Sequence, residues 1–126
     1  MIAKRVLVID DDDGVREIIR FSLEAVAGWE VLTATSGSEG LVKAHEDQPD
    51  AILLDVMMPD LDGPETFRQL QTNAATAEIP TILLTAKAKI SEQKQFKELG
   101  VNGVITKPFD PIDLVEQIRE ILTWRE

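Results

Sequence analysis

The 126-residue chain has no cysteine and no tyrosine, a single histidine, 5% aromatic residues, and 13 lysines and arginines against 23 aspartates and glutamates. Without cysteine there is neither a disulfide nor a thiolate metal site, which suits a reducing compartment. The formal charge of −10 leaves no basic patch of the kind that grips a phosphate backbone, so nucleic acid is not expected as a direct partner. No apolar run approaches the ~20 residues that span a bilayer, and Met1 leads into a strand rather than a signal peptide. A soluble, cytoplasmic protein with no membrane contact is the expectation. No Ser/Gly-rich linker, internal repeat or low-complexity run interrupts the chain, so residues 1–126 are expected to form a single domain. The lone histidine, His45, sits beside Glu46 and Asp47 and reads as solvated.

What the chain does have is a regular alternation of short apolar runs and helical stripes. VLVI (6–9), EVLTA (30–34), AILL (51–54), TILLT (81–85) and GVIT (103–106) have strand length and mostly lack a period of two, as strands covered on both faces do. Val15, Ile18, Ile19, Leu23 and Val26 give a 3.6-residue stripe that ends near Gly28, a natural left-handed cap. Ser36 and Glu39 form a capping-box pattern ahead of Leu41, Val42 and Ala44. Pro64 suits the first turn of a third helix through Phe67 and Leu70. Ser91 is placed to cap a fourth helix ending before Gly100. Asp110 and Pro111 read as cap and first residue of a fifth, with Ile112, Val115, Ile118, Ile121 and Leu122 toward the core. A βα unit repeated five times, with short connections, implies an α/β fold. It is a doubly wound, five-stranded parallel sheet of strand order 2-1-3-4-5 with helices on both faces.

Such a sheet binds ligands beyond the C-terminal strand ends, at the switch point between strands 1 and 3. Those ends carry Asp10 and Asp11, then Asp55, then Thr85, and Lys107 follows the last strand. Three carboxylates there repel one another, each pair by roughly 3 kcal/mol at ~5 Å and an effective dielectric near 20. Positive charge is needed among them. Lys107 supplies one unit, and a hard divalent cation with oxygen ligands supplies two. Mg²⁺ suits best, because it takes one or two carboxylates and keeps other positions for water and phosphate oxygen. That set fits phosphoryl transfer with one carboxylate as nucleophile. Asp12 and Asp13, entering the first turn of the first helix, read as cap and dipole partners. Aligning Gly14 or Gly63 with the EF-hand glycine places Ile9 and Arg20, or Met58 and Gln69, at ligand positions, so neither stretch is a calcium loop.

VLVIDDDDGVREII, AILLDVMMPDLDG, IPTILLTAKA and GVITKPFDP together resemble the receiver domain of two-component response regulators, the CheY-like type, from about residue 4 to 122. The resemblance implies the flavodoxin-like fold and a phosphoacceptor that takes a phosphoryl group on Asp55 from a phosphohistidine of a sensor histidine kinase or histidine phosphotransfer protein. Asp11, Asp55 and the backbone carbonyl of Met57 would bind Mg²⁺, and Asp10 would contribute through a water. Lys107, held by a cis Lys107–Pro108 bond, would contact the phosphoryl oxygens, and Thr85 would turn its hydroxyl toward them. The chain would catalyse only its own phosphorylation and dephosphorylation, and would signal to a downstream protein through helix 4, strand 5 and helix 5. A weak homodimer is compatible with this, and no effector domain is expected after the last helix.

Two rival readings are weighed beside it. Asp10 and Asp12 after a strand also resemble the DxD start of a haloacid-dehalogenase-type phosphatase with Asp10 as nucleophile, but the late acidic motif and cap domain of that family are missing and Asp55 would have no role. A phosphorylation-independent receiver-like module is disfavoured because Asp10, Asp11, Asp55, Thr85 and Lys107 are all present. One departure stands out: the position two before Thr106, often aromatic in receivers, is Val104. Met57 and Lys87, two after Asp55 and Thr85, are expected to hinder water at the acyl phosphate and to slow its loss. Lysines 87, 89, 94 and 97 around helix 4 read more readily as a solvated face than as a docking site.

Overall fold

The computed structural model describes residues 3–86 and 89–126. Its strands are β1 (Arg5–Ile9), β2 (Glu30–Ala34), β3 (Ala51–Asp55), β4 (Thr81–Thr85) and β5 (Gly103–Thr106), all parallel and ordered β2-β1-β3-β4-β5. The helices α1 (Asp13–Ser22), α2 (Gly37–Asp47), α3 (Gly63–Thr72), α4 (Ile90–Glu98) and α5 (Leu114–Leu122) follow the strands in turn. Alternate residues along each strand feed two separate cores. Val6, Val8, Leu53, Ile82, Leu84 and Ile105 pack with Ile19 and Leu23 of the α1 segment and with Leu114, Val115 and Ile118 of α5. Leu7, Ile9, Ile52, Leu54 and Leu83 pack on the other face with Ala44, Phe67, Leu70 and Phe96 of α2, α3 and α4. Burial on both faces explains why the strands read as continuous apolar runs without alternation. No described helix is long and apolar enough to cross a membrane.

Most local signals act where expected. Gly28 closes the first helical segment in the left-handed region at φ 69°, after a π-helical turn over Leu23–Ala27. Ser36 Oγ accepts from the Glu39 N–H at 3.1 Å, while Glu39 Oε1 reaches back to the Thr35 N–H at 2.7 Å, one residue earlier than the simple box. Asp62 caps α3 by accepting from the Glu65 N–H at 2.9 Å, with Pro64 in the first turn.

Four expectations fail. Ile18 of α1 and Val42 of α2 are about half exposed, because the helix face that meets the sheet is narrower than the apolar stripe, and Val26, equally exposed, lies in the π-helical turn after α1, where the 3.6-residue period no longer holds. Ser91 lies inside α4, whose cap position is Lys89 without a side-chain bond. Asp110 does not start α5: its carboxylate accepts from the Ile112 N–H at 2.8 Å in a turn over residues 111–113, and α5 begins only at Leu114. That turn swings Ile112 outward to 73% exposure. His45 is exposed as expected, with Nδ1 3.1 Å from Asn73 Nδ2.

Candidate functional site

The parallel register brings the acidic residues together. Ile9 pairs with Leu54, so the next residues, Asp10 and Asp55, emerge side by side at the C-terminal edge of the sheet. Asp10 still belongs to the ladder, its N–H donating to Ala34 O at 3.1 Å, before the chain turns into α1. Thr85 ends β4 opposite Thr106, and the Lys107 N–H donates to Thr85 O at 2.7 Å, which fixes the residue after β5 against the end of β4. The Lys107–Pro108 bond is cis.

Asp10 is fully buried, Asp55 is 5% exposed and Thr85 is buried, whereas Asp11 is open to solvent. Lys107 Nζ lies 3.0 Å from Asp10 Oδ2 and 3.1 Å from Asp55 Oδ1, bridging the two buried carboxylates. The other oxygen of Asp10, Oδ1, accepts from the Asp12 N–H at 2.9 Å. One carboxylate oxygen from each of Asp10, Asp11 and Asp55 lies within 4.8 Å of the others. Burial, and after it the charge of Asp10, pushes the Asp55 carboxyl above the usual aspartate range, with Lys107 and the Met57 N–H pulling it partly back. Burial alone would depress Lys107, but its hydrogen bonds to Asp10 and Asp55, aided by their charge, carry it above the ordinary lysine value. The arrangement is therefore short of positive charge: one ammonium serves two buried carboxylates and a third stands at the mouth. A donor set of hard carboxylate oxygens, with no thiolate and no imidazole, fits a hard divalent cation.

Asp12 and Asp13 take the bland roles expected of them. Asp12 caps α1, its Oδ1 accepting from the N–H groups of Gly14 and Val15 at 2.8 and 3.2 Å, and Asp13 pairs with Arg16 in the first turn. Asp10 has one oxygen on Lys107 and the other on the loop backbone, an occupied arrangement unsuited to the exposed nucleophile that a DxD phosphatase needs.

A family model for the response regulator receiver domain matches residues 6–119. The chain belongs to that family. This receiver is 38% identical over 123 residues to the alkaline phosphatase synthesis transcriptional regulatory protein PhoP of Bacillus subtilis, a match covering 98% of this chain and 50% of that protein. It is also 38% identical over 122 residues to the phosphate regulon transcriptional regulatory protein PhoB of Pseudomonas aeruginosa, covering 97% and 53%. The receiver thus spans about half the length of these curated relatives. Among solved structures it resembles the chemotaxis response regulator CheY4 of Vibrio cholerae, with TM-score 0.88, 30% identity, and coverage of 94% of this chain and 98% of that one. A CheY-like receiver domain protein of Methanospirillum hungatei is similar too, with TM-score 0.84, 30% identity, and coverage of 96% and 94%. The receiver is a phosphoacceptor module of two-component signalling, and the phosphatase reading gives way.

Within the receiver, the structure draws Asp10, Asp11, Asp55, Thr85 and Lys107 to one edge. Met57, two residues after Asp55, is 66% exposed, and Lys87 lies outside the described residues. Sequence reasoning does not reach two further participants. Gly63 presses on the Asp55 backbone, and Arg16 holds the Asp10 carbonyl. Arginine three residues after Asp13 reads as an ordinary helix-surface ion pair, and the glycine of a DG pair reads as a turn residue, so neither carries a signal of its own.

Proposed function

We propose that Asp55 is the residue that receives the phosphoryl group, delivered by a phosphohistidine on a sensor histidine kinase or histidine phosphotransfer protein in the cytoplasm. The observation that carries this is the carboxylate of Asp55, nearly buried at the end of the central strand yet within 3.1 Å of Lys107 and beside two more carboxylates. In the transfer a carboxylate oxygen of Asp55 bonds to phosphorus as the P–N bond to imidazole breaks, and the imidazole keeps the electron pair. Asp11 and Asp55, with the Met57 carbonyl, would hold Mg²⁺ directly and Asp10 through a water. Bound there, the ion supplies charge neutralisation for the carboxylates and the phosphoryl oxygens. Lys107 Nζ turns from the Asp55 carboxylate to the phosphoryl oxygens that replace it, and the Thr85 hydroxyl donates from the neighbouring strand end. On this reading the chain has no substrate other than its own acyl phosphate. Incubation with acetyl phosphate and Mg²⁺ followed by intact-mass measurement tests the proposal. One phosphoryl adduct is the expected result, and an unmodified mass overturns it.

Output follows from what the added charge attracts. A phosphoryl group brings roughly −1.5 to −2 charge and three strong acceptors to Asp55, so Thr85 and Lys107, at the ends of β4 and β5, are the groups drawn inward. The face of α4, β5 and α5 lies directly behind them. Of that face α4 is the most loosely held: Phe96 is its one buried residue, while Ile90 is 85% exposed. Ile90, Lys94 and Lys97, spaced by four and three residues, share the outward side of α4, with Lys89 at its cap. Val104, half-buried on the sheet face that Phe96 of α4 covers, offers no ring to rotate, so relay is assigned to displacement of α4 rather than to an aromatic switch. Amide shifts on adding beryllofluoride and Mg²⁺ are expected in β4, β5 and α4. A spectrum that changes around residues 10, 11 and 55 but not in α4 or β5 would refute this output face. A downstream protein, or a second copy in a weak homodimer, would read the change.

A further inference from the structure

We propose that Arg16 is a positioning residue for magnesium, acting through the β1–α1 loop; the inference rests on the phosphoacceptor reading of the site. Asp11, the exposed member of the carboxylate cluster, makes no side-chain hydrogen bond or ion pair among the described residues. Its place is therefore set by the residues on either side. Asp10 is fixed through its N–H to Ala34 and its carboxylate to Lys107 and the Asp12 N–H. Asp12 is fixed as the helix cap. Arg16 joins the two. Its Nη1 donates to the Asp10 carbonyl at 2.7 Å, its Nη2 is paired with Asp13, and its backbone N–H donates to Asp12 O at 3.1 Å.

The planar guanidinium spans from the strand end to the first helical turn, and its side chain is only 14% exposed, so the fork is held in one orientation. The loop is thereby closed on both sides of Asp11, and the spacing among the carboxylates of Asp10, Asp11 and Asp55 is kept before any cation arrives. Pre-setting ligands in this way is how groups behind a metal site raise its affinity.

The sign of the effect separates this role from a simple electrostatic one. Arg16 is itself a cation near a cation site, so if it acted by charge alone its removal would tighten Mg²⁺ binding. If it positions the loop, removal weakens binding. The experiment is a calorimetric Mg²⁺ titration of the whole chain as wild type, Arg16→Met and Arg16→Lys, each verified as folded by circular dichroism. Phosphorylation by acetyl phosphate is then followed as a function of Mg²⁺. The dissociation constant is expected to rise about tenfold in Arg16→Met and by less in Arg16→Lys, which keeps the charge but cannot reach both Asp10 and Asp13. The Mg²⁺ concentration for half-maximal phosphorylation should rise in step while the rate at saturating Mg²⁺ stays close to wild type. An arginine that merely stapled the first turn of α1 would lower the urea midpoint and leave the affinity of the folded protein unchanged. Unchanged or tighter binding in Arg16→Met overturns the proposal, and if that variant does not fold, Arg16→Lys decides by the same sign. A wild-type chain that takes up no Mg²⁺ overturns both this inference and the reading beneath it.

Discussion

The Asp55→Asn variant is expected to show no phosphoryl adduct after incubation with acetyl phosphate and Mg²⁺, while Asp10→Asn retains an adduct that forms more slowly. A carboxamide has nearly the shape of a carboxylate but is no nucleophile toward phosphorus at neutral pH, so the bond-forming step is lost without a change in packing. The fold should survive. Asp55 and Asp10 share a single lysine, 3.1 and 3.0 Å away, and neutralising Asp55 leaves Lys107 to pair with Asp10 alone. The melting temperature of Asp55→Asn in magnesium-free buffer should therefore not fall below wild type, which separates lost chemistry from lost structure. On the proposed assignment, Asp10→Asn removes charge next to Asp55 and one partner of Lys107, so transfer is expected to slow without ending. An adduct that persists in Asp55→Asn and vanishes in Asp10→Asn would make Asp10 the acceptor and refute the assignment.

Gly63→Ala should cost about 3 kcal/mol of folding stability, the upper part of the range for overpacking a well-filled site. A methyl group at Gly63 would lie 2.5 Å from Asp55 O, 2.8 Å from Val56 Cα and 3.1 Å from Asp55 C. All three are backbone atoms at the end of β3, where the Gly63 N–H also donates to Val56 O at 3.0 Å, so neither side can move without breaking that bond. The strain therefore falls on the backbone of Asp55, the proposed acceptor. With a urea slope of about 2 kcal/mol/M, the midpoint should drop by about 1.5 M, and phosphorylation of the remaining folded protein should be slower. Gly40→Ala is the control. Its methyl would meet three atoms of the Ile9 side chain, Cδ1 at 2.4 Å, Cγ1 at 2.8 Å and Cγ2 at 3.2 Å, so the strain there falls on core packing and leaves the Asp55 backbone in place. Equal midpoints for wild type and Gly63→Ala would show that the β3–α3 loop yields more easily than its geometry indicates.

The fold was legible from the chain because its main signals are local and agree with one another. VLVI, AILL and TILLT are buried on both faces, and their short connections to amphipathic segments leave parallel crossovers as the solution. The helix ends were less legible. Asp110–Pro111 carries a good start signal, yet α5 begins at Leu114, because the carboxylate of Asp110 is used in the preceding turn. Apolar spacing also overstated burial: Ile18, Val26, Val42 and Ile112 obey the helical period but face outward. Periodicity states which residues share a side of a helix and not how wide the buried strip is. At the site, Asp10, Asp11, Asp55, Thr85 and Lys107 could be named because strand-end positions in a doubly wound sheet converge by topology. Arg16 and Gly63 could not, because the contacts that tie them to the site are with backbone atoms, and a carbonyl or a Cα leaves no trace in residue types.

By itself the sequence determined the layer architecture, the strand order and the identity of the acidic cluster, since these follow from hydrophobic period, turn chemistry and the placement of charge at strand ends. Only the tertiary structure decided how the cluster is wired. It is in space, not along the chain, that Lys107 bridges Asp10 and Asp55 across 97 and 52 residues, that Asp11 is left exposed between two clamped neighbours, and that Gly63 abuts the end of β3. Such contacts are fixed by the register of neighbouring strands and the path of two loops, which depend on the packing of the whole domain.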